Sequence, residues 1–174
     1  DPSSPVLIPA VWSGPVPALD GPVRVASRSG CDRFPIDLAD PAQRLRLRSY
    51  IWADQRERLA LLESAMGLAC AAGLRVDRED AETWVERQLA MPAEGETTVL
   101  YHSIMWQYLS SQAQARIVAA IESAGRHATS NRPFAWLRLE VPGRNAWPEL
   151  SLTLWPGGGT RKLAAAHWHG SEVR

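Results

Sequence analysis

The stretch TTVLYHSIMWQYLSSQAQARIVAAIESAG, residues 97–125, joins a strand pattern to a helix pattern and thereby decides the fold class. Residues 97–101 form a near-continuous apolar run, which is typical of a strand buried on both faces of a parallel sheet. Ser111 and Gln114 then form a capping-box pattern, and Gly125 is placed where a helix would end. The apolar face between them consists of Ala113, Ile117, Ile121 and Ala124.

The same alternation of strand and helix patterns precedes this stretch. Short strands are predicted over 23–27 and 74–76, and helices over 41–52, from Asp54 to Gly73, and from Asp80 onward. The segment 41–52 is compatible with either element: residues 44–48 alternate with strand period, whereas Pro41 after Asp40 favours a helix.

The end of the chain changes character. Residues 133–141, 149–155 and 162–168 alternate with period two, and the glycine-rich PGGGT connects the last two as a hairpin. The order predicts an α/β fold, Rossmann-like, with a mostly parallel sheet that is flanked by helices and ends in an antiparallel hairpin.

The first 22 residues form a proline-rich lead-in. They contain six prolines, which predicts an extended segment, and residues 23–174 are expected to form a single α/β domain. Because the chain opens at Asp1 without a methionine, we expect it to be the C-terminal part of a longer protein, truncated on the N-terminal side of this domain.

Composition excludes several classes of protein. The 19 basic and 19 acidic residues cancel, so nothing indicates binding to nucleic acid or to an anionic membrane. No apolar run reaches the roughly 18 residues of a membrane span. The two cysteines lack C-x-x-C spacing, which argues against a disulfide scaffold or a zinc ribbon. A cytoplasmic protein is therefore expected.

Acidic residues follow the predicted strands, and ligands of such folds bind beyond the carboxyl ends of the strands. Asp32 could accept hydrogen bonds from a ribose diol, or could simply cap its turn. Asp80 and Ala81 could border an adenine, although Asp80 is also explained as a helix N-cap.

His102 and Ser103 lie at the mouth of the apolar strand. His102 could move a proton and Ser103 could donate a hydrogen bond, but Ser103 lacks the G-x-S-x-G context of a nucleophile. His167 and His169 have a spacing that can hold a metal, yet no third ligand is evident nearby. No metal is therefore expected.

Four segments carry a resemblance to a known family: SRSGCDRFPIDLADPAQRLRLRSYIWADQRERL, YHSIMWQYL, LTLWPGG and HWHG. From about Val23 to Gly170 the chain resembles the uncharacterised bacterial domain-of-unknown-function family 2332. Members look like class I S-adenosylmethionine-dependent methyltransferases in the order of their strands and helices. The resemblance implies that Asp32 accepts the ribose, that Asp80 and Ala81 lie beside the adenine, and that His102 and Ser103 adjoin the methyl-transfer site.

One expected feature of that family is missing. The glycine-rich loop that cradles the methionine end of the cofactor has no counterpart in this sequence, and the resemblance implies that it lies upstream. We therefore expect a methyltransferase-like domain that binds S-adenosylmethionine and an unknown acceptor. The alternatives are a non-catalytic Rossmann-like interaction or regulatory module and a metal-dependent hydrolase that uses His167 and His169. An open sheet edge further predicts a homodimer.

Overall fold

The structure, a computed structural model, describes residues 3–18, 21–91, 93–143 and 146–174. The helices are α1 (Pro41–Arg48), α2 (Arg56–Ala71), α3 (Ala81–Leu89) and α4 (Ser111–His127). The strands are β1 (Val11–Trp12), β2 (Cys31–Asp32), β3 (Asp77–Arg78), β4 (Thr98–Ser103), β5 (Phe134–Glu140), β6 (Glu149–Trp155), β7 (Gly159–Ala165) and β8 (Glu172–Val173). Within these described ranges, no helix combines the length and apolar character that crossing a membrane requires.

The described chain divides into two compact units. The first contains the described residues of Asp1–Ile8 together with Ser27–Asp80, and the second contains those of Pro9–Ala26 and Ala81–Arg174. One domain can contain two such units, so a single domain over residues 23–174 stays a prediction.

The first unit contains α1, α2 and a parallel pair formed by β2 and β3, in which Cys31 lies opposite Asp77. The segment predicted as a helix over 41–52 is helical from Pro41 to Arg48, because the Oδ1 atom of Asp40 accepts a hydrogen bond from the backbone N–H of Ala42 at 2.8 Å and Pro41 fits the first turn. Gly73, with φ of +61°, follows the end of α2.

The two short strands expected in this part of the sequence differ from the structure. Residues 23–27 are not a strand, and the one predicted over 74–76 is displaced to Asp77–Arg78. A run of β-favouring residues becomes a strand only where a partner pairs with it, and β2 supplies that partner only from Asp77 onward.

The second unit contains a four-stranded sheet in the order β4-β5-β6-β7. The β4–β5 pair is parallel, whereas β5–β6 and β6–β7 are antiparallel. The final hairpin is confirmed, but the expected mostly parallel, Rossmann-like sheet is not found here, because the chain returns from β5 to β6 without a crossover helix and such a short connection places the next strand antiparallel. The architecture is mixed α/β.

Strand β4 is buried on one face only, which corrects the expectation that it is buried on both. Its burial alternates along the strand, and Val99 and Tyr101 are 52% and 74% exposed. The reason is the layering of the second unit: α4 packs on one face of the sheet and α3 packs on α4, so alternate side chains of β4 on the other face are exposed.

Helix α4 follows the predicted apolar face but not its predicted ends. The cap is Ser110 rather than Ser111, since its Oγ atom accepts the backbone N–H of Ala113 at 3.1 Å. Ala113, Ile117 and Ile121 are buried as expected. The helix continues through Gly125 to His127, because the missing side chain of Gly125 admits the ring of Trp155 rather than ending the helix.

Candidate functional site

A cleft of about 370 Å³ lies in the second unit at the carboxyl ends of β4 and β5. Because these two strands are parallel, their carboxyl ends meet at one edge of the sheet, and His102 lies opposite Arg138 there. The sequence therefore located His102 correctly at a strand end. The lining residues are His102, Trp106, Val118, Trp136, Arg138, Glu140, Val141, Pro142, Glu149 and Ser151.

Both ring nitrogens of His102 are hydrogen-bonded. The indole N–H of Trp136 donates to Nε2 at 3.0 Å, and Nδ1 lies 2.7 Å from Oε1 of Glu140. An indole N–H can only donate, so Nε2 must be the unprotonated acceptor. This assigns the neutral tautomer in which the Nδ1–H of His102 donates to Glu140.

Glu140 fixes the turn that follows β4. Its Oε1 atom also accepts the backbone N–H groups of Met105, at 3.1 Å, and of Trp106, at 3.3 Å. The turn includes Ile104 at φ of +51°, a left-handed conformation that is rare for a β-branched residue. Glu140 thus holds a strained backbone in place and sets the ring of Trp106, which stacks on His102 with centroids 5.2 Å apart.

Burial lowers the pKa of His102 below its ordinary value of 6.5, and Arg138 lowers it further, while the hydrogen bond to Glu140 and its charge act in the opposite direction. The N–H of Trp136 also opposes protonation, because a protonated Nε2 would meet a second donor. In this arrangement His102 orients its neighbours. A role in proton transfer would require Trp136 to move away from Nε2.

Ser103 is exposed and lies on the other face of β4, since successive side chains of a strand point to opposite faces. The structure therefore brings His102 together with Trp136 and Glu140 rather than with Ser103. Sequence reasoning missed these two partners. Their signal is the period of two in residues 134–140, which places Trp136, Arg138 and Glu140 on one face of β5.

Charged side chains complete the cleft. The guanidinium carbon of Arg138 lies 4.1 Å from the ring centroid of Trp136. Glu149 accepts the hydroxyl of Ser151 at 2.9 Å and pairs with the ammonium of Lys162 at 2.9 Å. The hydrogen bond from Lys162, followed by that from Ser151, lowers the pKa of Glu149.

The candidate cofactor residues fall in both units. Asp32 ends β2, and its Oδ1 atom accepts the backbone N–H of Phe34 at 2.7 Å. Asp80 lies in the same unit and pairs with the Nε atom of Arg33 at 3.0 Å on the surface. Ala81 is the first residue of α3 in the second unit. The structure does not test whether these residues bind a cofactor, so their roles stay predictions.

The two C-terminal histidines are close to each other. Their ring centroids are 5.6 Å apart, and the Nδ1 atom of His167 accepts the backbone N–H of His169 at 3.3 Å and lies 3.0 Å from the hydroxyl of Ser171. In the part of the chain that the structure describes, no group of three or more histidine, cysteine, aspartate or glutamate residues could hold a metal ion. The metal-dependent hydrolase that would use His167 and His169 stays a prediction.

Comparison with known proteins gives one match. The profile of a family described as "Uncharacterized protein conserved in bacteria (DUF2332)" matches residues 1–174. No curated protein and no solved structure matches the chain.

Proposed function

The chain belongs to the bacterial family DUF2332, and we propose that it is an S-adenosylmethionine-dependent, methyltransferase-like domain of the cytoplasm that acts on an unknown acceptor. The observation that carries the proposal is the position of polar side chains at the carboxyl ends of parallel strands. Asp32 ends β2 of the parallel β2–β3 pair, and Glu140 and His102 lie at the ends of the parallel β5 and β4. Ligands of open α/β sheets bind at such ends.

Asp32 is suited to the ribose of the cofactor. Its Oδ1 atom already holds the backbone N–H of Phe34, but a carboxylate has a second oxygen that can accept a ribose hydroxyl. Asp80 and Ala81 are proposed to border the adenine, as the family resemblance implies. When bound, the cofactor would supply an electrophilic methyl group.

On the acceptor side, we assign His102 a positioning role, and Ser103, on the other face of β4, keeps the place near the methyl-transfer site that the resemblance implies. Neutral His102 donates a hydrogen bond to Glu140, and Glu140 accepts the backbone N–H groups of Met105 and Trp106. This network gives the cleft a fixed wall, and a preformed wall lowers the entropy cost of orienting an acceptor.

Isothermal titration calorimetry with S-adenosylmethionine and S-adenosylhomocysteine tests the cofactor assignment. Asp32→Asn should raise the Kd for S-adenosylmethionine roughly tenfold or more, because a hydrogen bond to a charged group contributes about 1.5–3 kcal/mol. Asp37→Asn is the matched control, since the Oδ1 atom of Asp37 holds the N–H of Ala39 at 2.8 Å in the same kind of turn. If neither ligand gives a heat of binding at high concentration, the assignment of S-adenosylmethionine as the cofactor is wrong.

A second candidate function is a non-catalytic interaction or regulatory module. The observation that favours it is the occupation of both ring nitrogens of His102 by Glu140 and Trp136, which leaves this histidine no free nitrogen to act as a base. The same titrations separate the two candidates. Cofactor binding that depends on Asp32 supports the methyltransferase-like function, and its absence supports the module.

A further inference from the structure

We propose that the cleft at the carboxyl ends of β4 and β5 binds the carboxylate of a small organic acid, and that Arg138 is the residue that recognises it. The proposal rests on the proposed function only in naming this acid as the methyl acceptor. Binding of the acid needs no cofactor and can be measured alone.

Arg138 is a cation of the cleft that forms no ion pair among the described residues, although its charge helps to lower the pKa of the more distant Glu149. Its guanidinium stacks on the indole of Trp136 at 4.1 Å, and the residue is half-buried. Among the described residues, no carboxylate lies within ion-pair distance of its guanidinium, and the guanidinium donates no hydrogen bond to them. A guanidinium that lies over an aromatic ring does not use its N–H donors in that contact, so they can still donate to a ligand.

The two acidic residues of the cleft are already engaged. Oε1 of Glu140 accepts hydrogen bonds from the ring of His102 and from two backbone N–H groups. Glu149 is paired with Lys162 and accepts the hydroxyl of Ser151. Neither carboxylate forms an ion pair with Arg138, so the guanidinium N–H groups of this arginine can donate to a bound anion.

The neighbouring charges select a carboxylate over a phosphate. A carboxylate carries one negative charge and matches the arginine fork with two coplanar oxygens. A phosphate carries more charge, so Glu140 and Glu149 would repel it more strongly. The remaining lining of Trp106, Val118, Val141 and Pro142 is apolar, and about 370 Å³ accommodates a small molecule. The ligand class is therefore a small monocarboxylic acid with an apolar body.

Calorimetric titration with benzoate tests the proposal, with benzamide as the uncharged analogue of the same shape and inorganic phosphate as the competing anion. We expect benzoate to bind at millimolar concentration and the other two to bind at least tenfold more weakly. Arg138→Gln should weaken benzoate binding by roughly tenfold or more. Arg161→Gln should leave it unchanged, because Arg161 pairs with Leu152 on the opposite face of the same sheet.

Three results would overturn the proposal: no heat with benzoate, equal binding of benzoate and benzamide, or an unchanged Kd in Arg138→Gln. If circular dichroism shows that Arg138→Gln is unfolded, the proposal is still tested by comparing the binding of benzoate and benzamide to the unsubstituted protein. Benzoate binding without S-adenosylmethionine binding rejects the proposed function alone. The reverse result rejects this inference alone.

Discussion

The neutral state of His102 links stability to pH. Its folded pKa lies below the ordinary 6.5 of an unfolded histidine, chiefly through burial. Above pH 6.5 the ring is neutral in the folded and the unfolded state, and its full contribution to the free energy of unfolding is present. As the pH falls below 6.5, the ring of the unfolded state gains a proton before the ring of the folded state does. We expect the free energy of unfolding to fall by up to about 1.4 kcal/mol per pH unit from this group, until the folded pKa is reached. Urea titrations between pH 7 and pH 5 measure this slope.

The matched variants for this test are His102→Gln and His127→Gln. His102→Gln should flatten the pH dependence, whereas His127→Gln should keep it, because His127 is exposed at the end of α4 and bonds only to the carbonyl of Ser123. A wild-type slope in His102→Gln would contradict the assignment of the neutral, buried ring.

The Oε1 atom of Glu140 connects β5 to β4 and to the turn that follows β4 through three hydrogen bonds. Glu140→Ala should lower the free energy of unfolding by about 3 kcal/mol, because it leaves the Nδ1–H of His102 and the N–H groups of Met105 and Trp106 without their acceptor. Glu140→Gln, which keeps an accepting oxygen, should cost less. Urea denaturation measures both, and Glu122→Ala on the exposed face of α4 should change stability by less than about 0.5 kcal/mol. Equal stability of Glu140→Ala and Glu122→Ala would count against the network.

Local patterns predicted single residues of the site but not their partners. His102 could be placed at a strand end because the apolar run before it is contiguous in sequence. Trp136 and Glu140 are 34 and 38 residues away, and only the register of β4 on β5 brings them to His102. Register is a property of the paired strands, so a single strand pattern does not contain it.

At the scale of elements, helices were more predictable than strands because a helix satisfies its hydrogen bonds locally. The apolar face of α4 follows from spacing alone, and the β6–β7 hairpin follows from its glycines. The error at β4 came from interpreting an apolar run as burial on two faces, whereas the packing of helices on each face of the sheet decides the burial. The cap at Ser110 rather than Ser111 shows the usual uncertainty of helix ends.

The packing of α4 against β6 depends on Gly125. A Cβ atom there would lie 2.5 Å from Cε2 of Trp155, whose ring is also stacked on Phe134 with centroids 5.2 Å apart and therefore cannot easily move. Alanine favours a helix by about 1 kcal/mol over glycine, but overpacking costs about 1–3 kcal/mol and should outweigh it. We expect Gly125→Ala to lower the melting temperature in differential scanning calorimetry.

Gly67 provides the comparison for this substitution. It lies inside α2, and a Cβ atom at this position would have no neighbour within 4 Å. Gly67→Ala should therefore stabilise its own unit by about 0.5–1 kcal/mol through helix propensity alone. If both alanine variants were stabilised alike, the contact between Gly125 and Trp155 would not limit the packing of α4.

At the scale of the whole molecule, the alternation of strands and helices predicted the α/β class but not how strands are distributed. Asp32 and Asp80 lie in one compact unit, and His102 lies in the other. The sequence grouped these residues into one crevice, whereas the structure describes them in two units, so a single site that contains all of them stays a proposal. Pairing order depends on long-range contacts, which periodicity does not encode, and this is why the distribution of the strands over separate sheets was not predicted.

The open edge of β4 yields a prediction about assembly. The N–H groups of Thr98 and Ile104 bond to β5, so the alternating positions between them, including Tyr101, direct their N–H groups away from β5. In the described ranges, β4 pairs with a strand on one side only, and Val99 and Tyr101 are exposed beside that edge. An unpaired edge with apolar side chains is a template for a second copy, so we expect a concentration-dependent homodimer in sedimentation velocity.

Two substitutions at Tyr101 distinguish backbone pairing from simple attraction between apolar side chains. Tyr101→Pro removes an outward N–H without removing a bond of the β4–β5 pair and should weaken the dimer at least tenfold, since an edge strand tolerates proline. Tyr101→Thr keeps that N–H and removes the ring, so it should retain the dimer. A dimer lost equally in both variants would indicate that the ring carries the contact, and a monomer at all concentrations of the unsubstituted chain would show that the edge of β4 does not pair with a second copy.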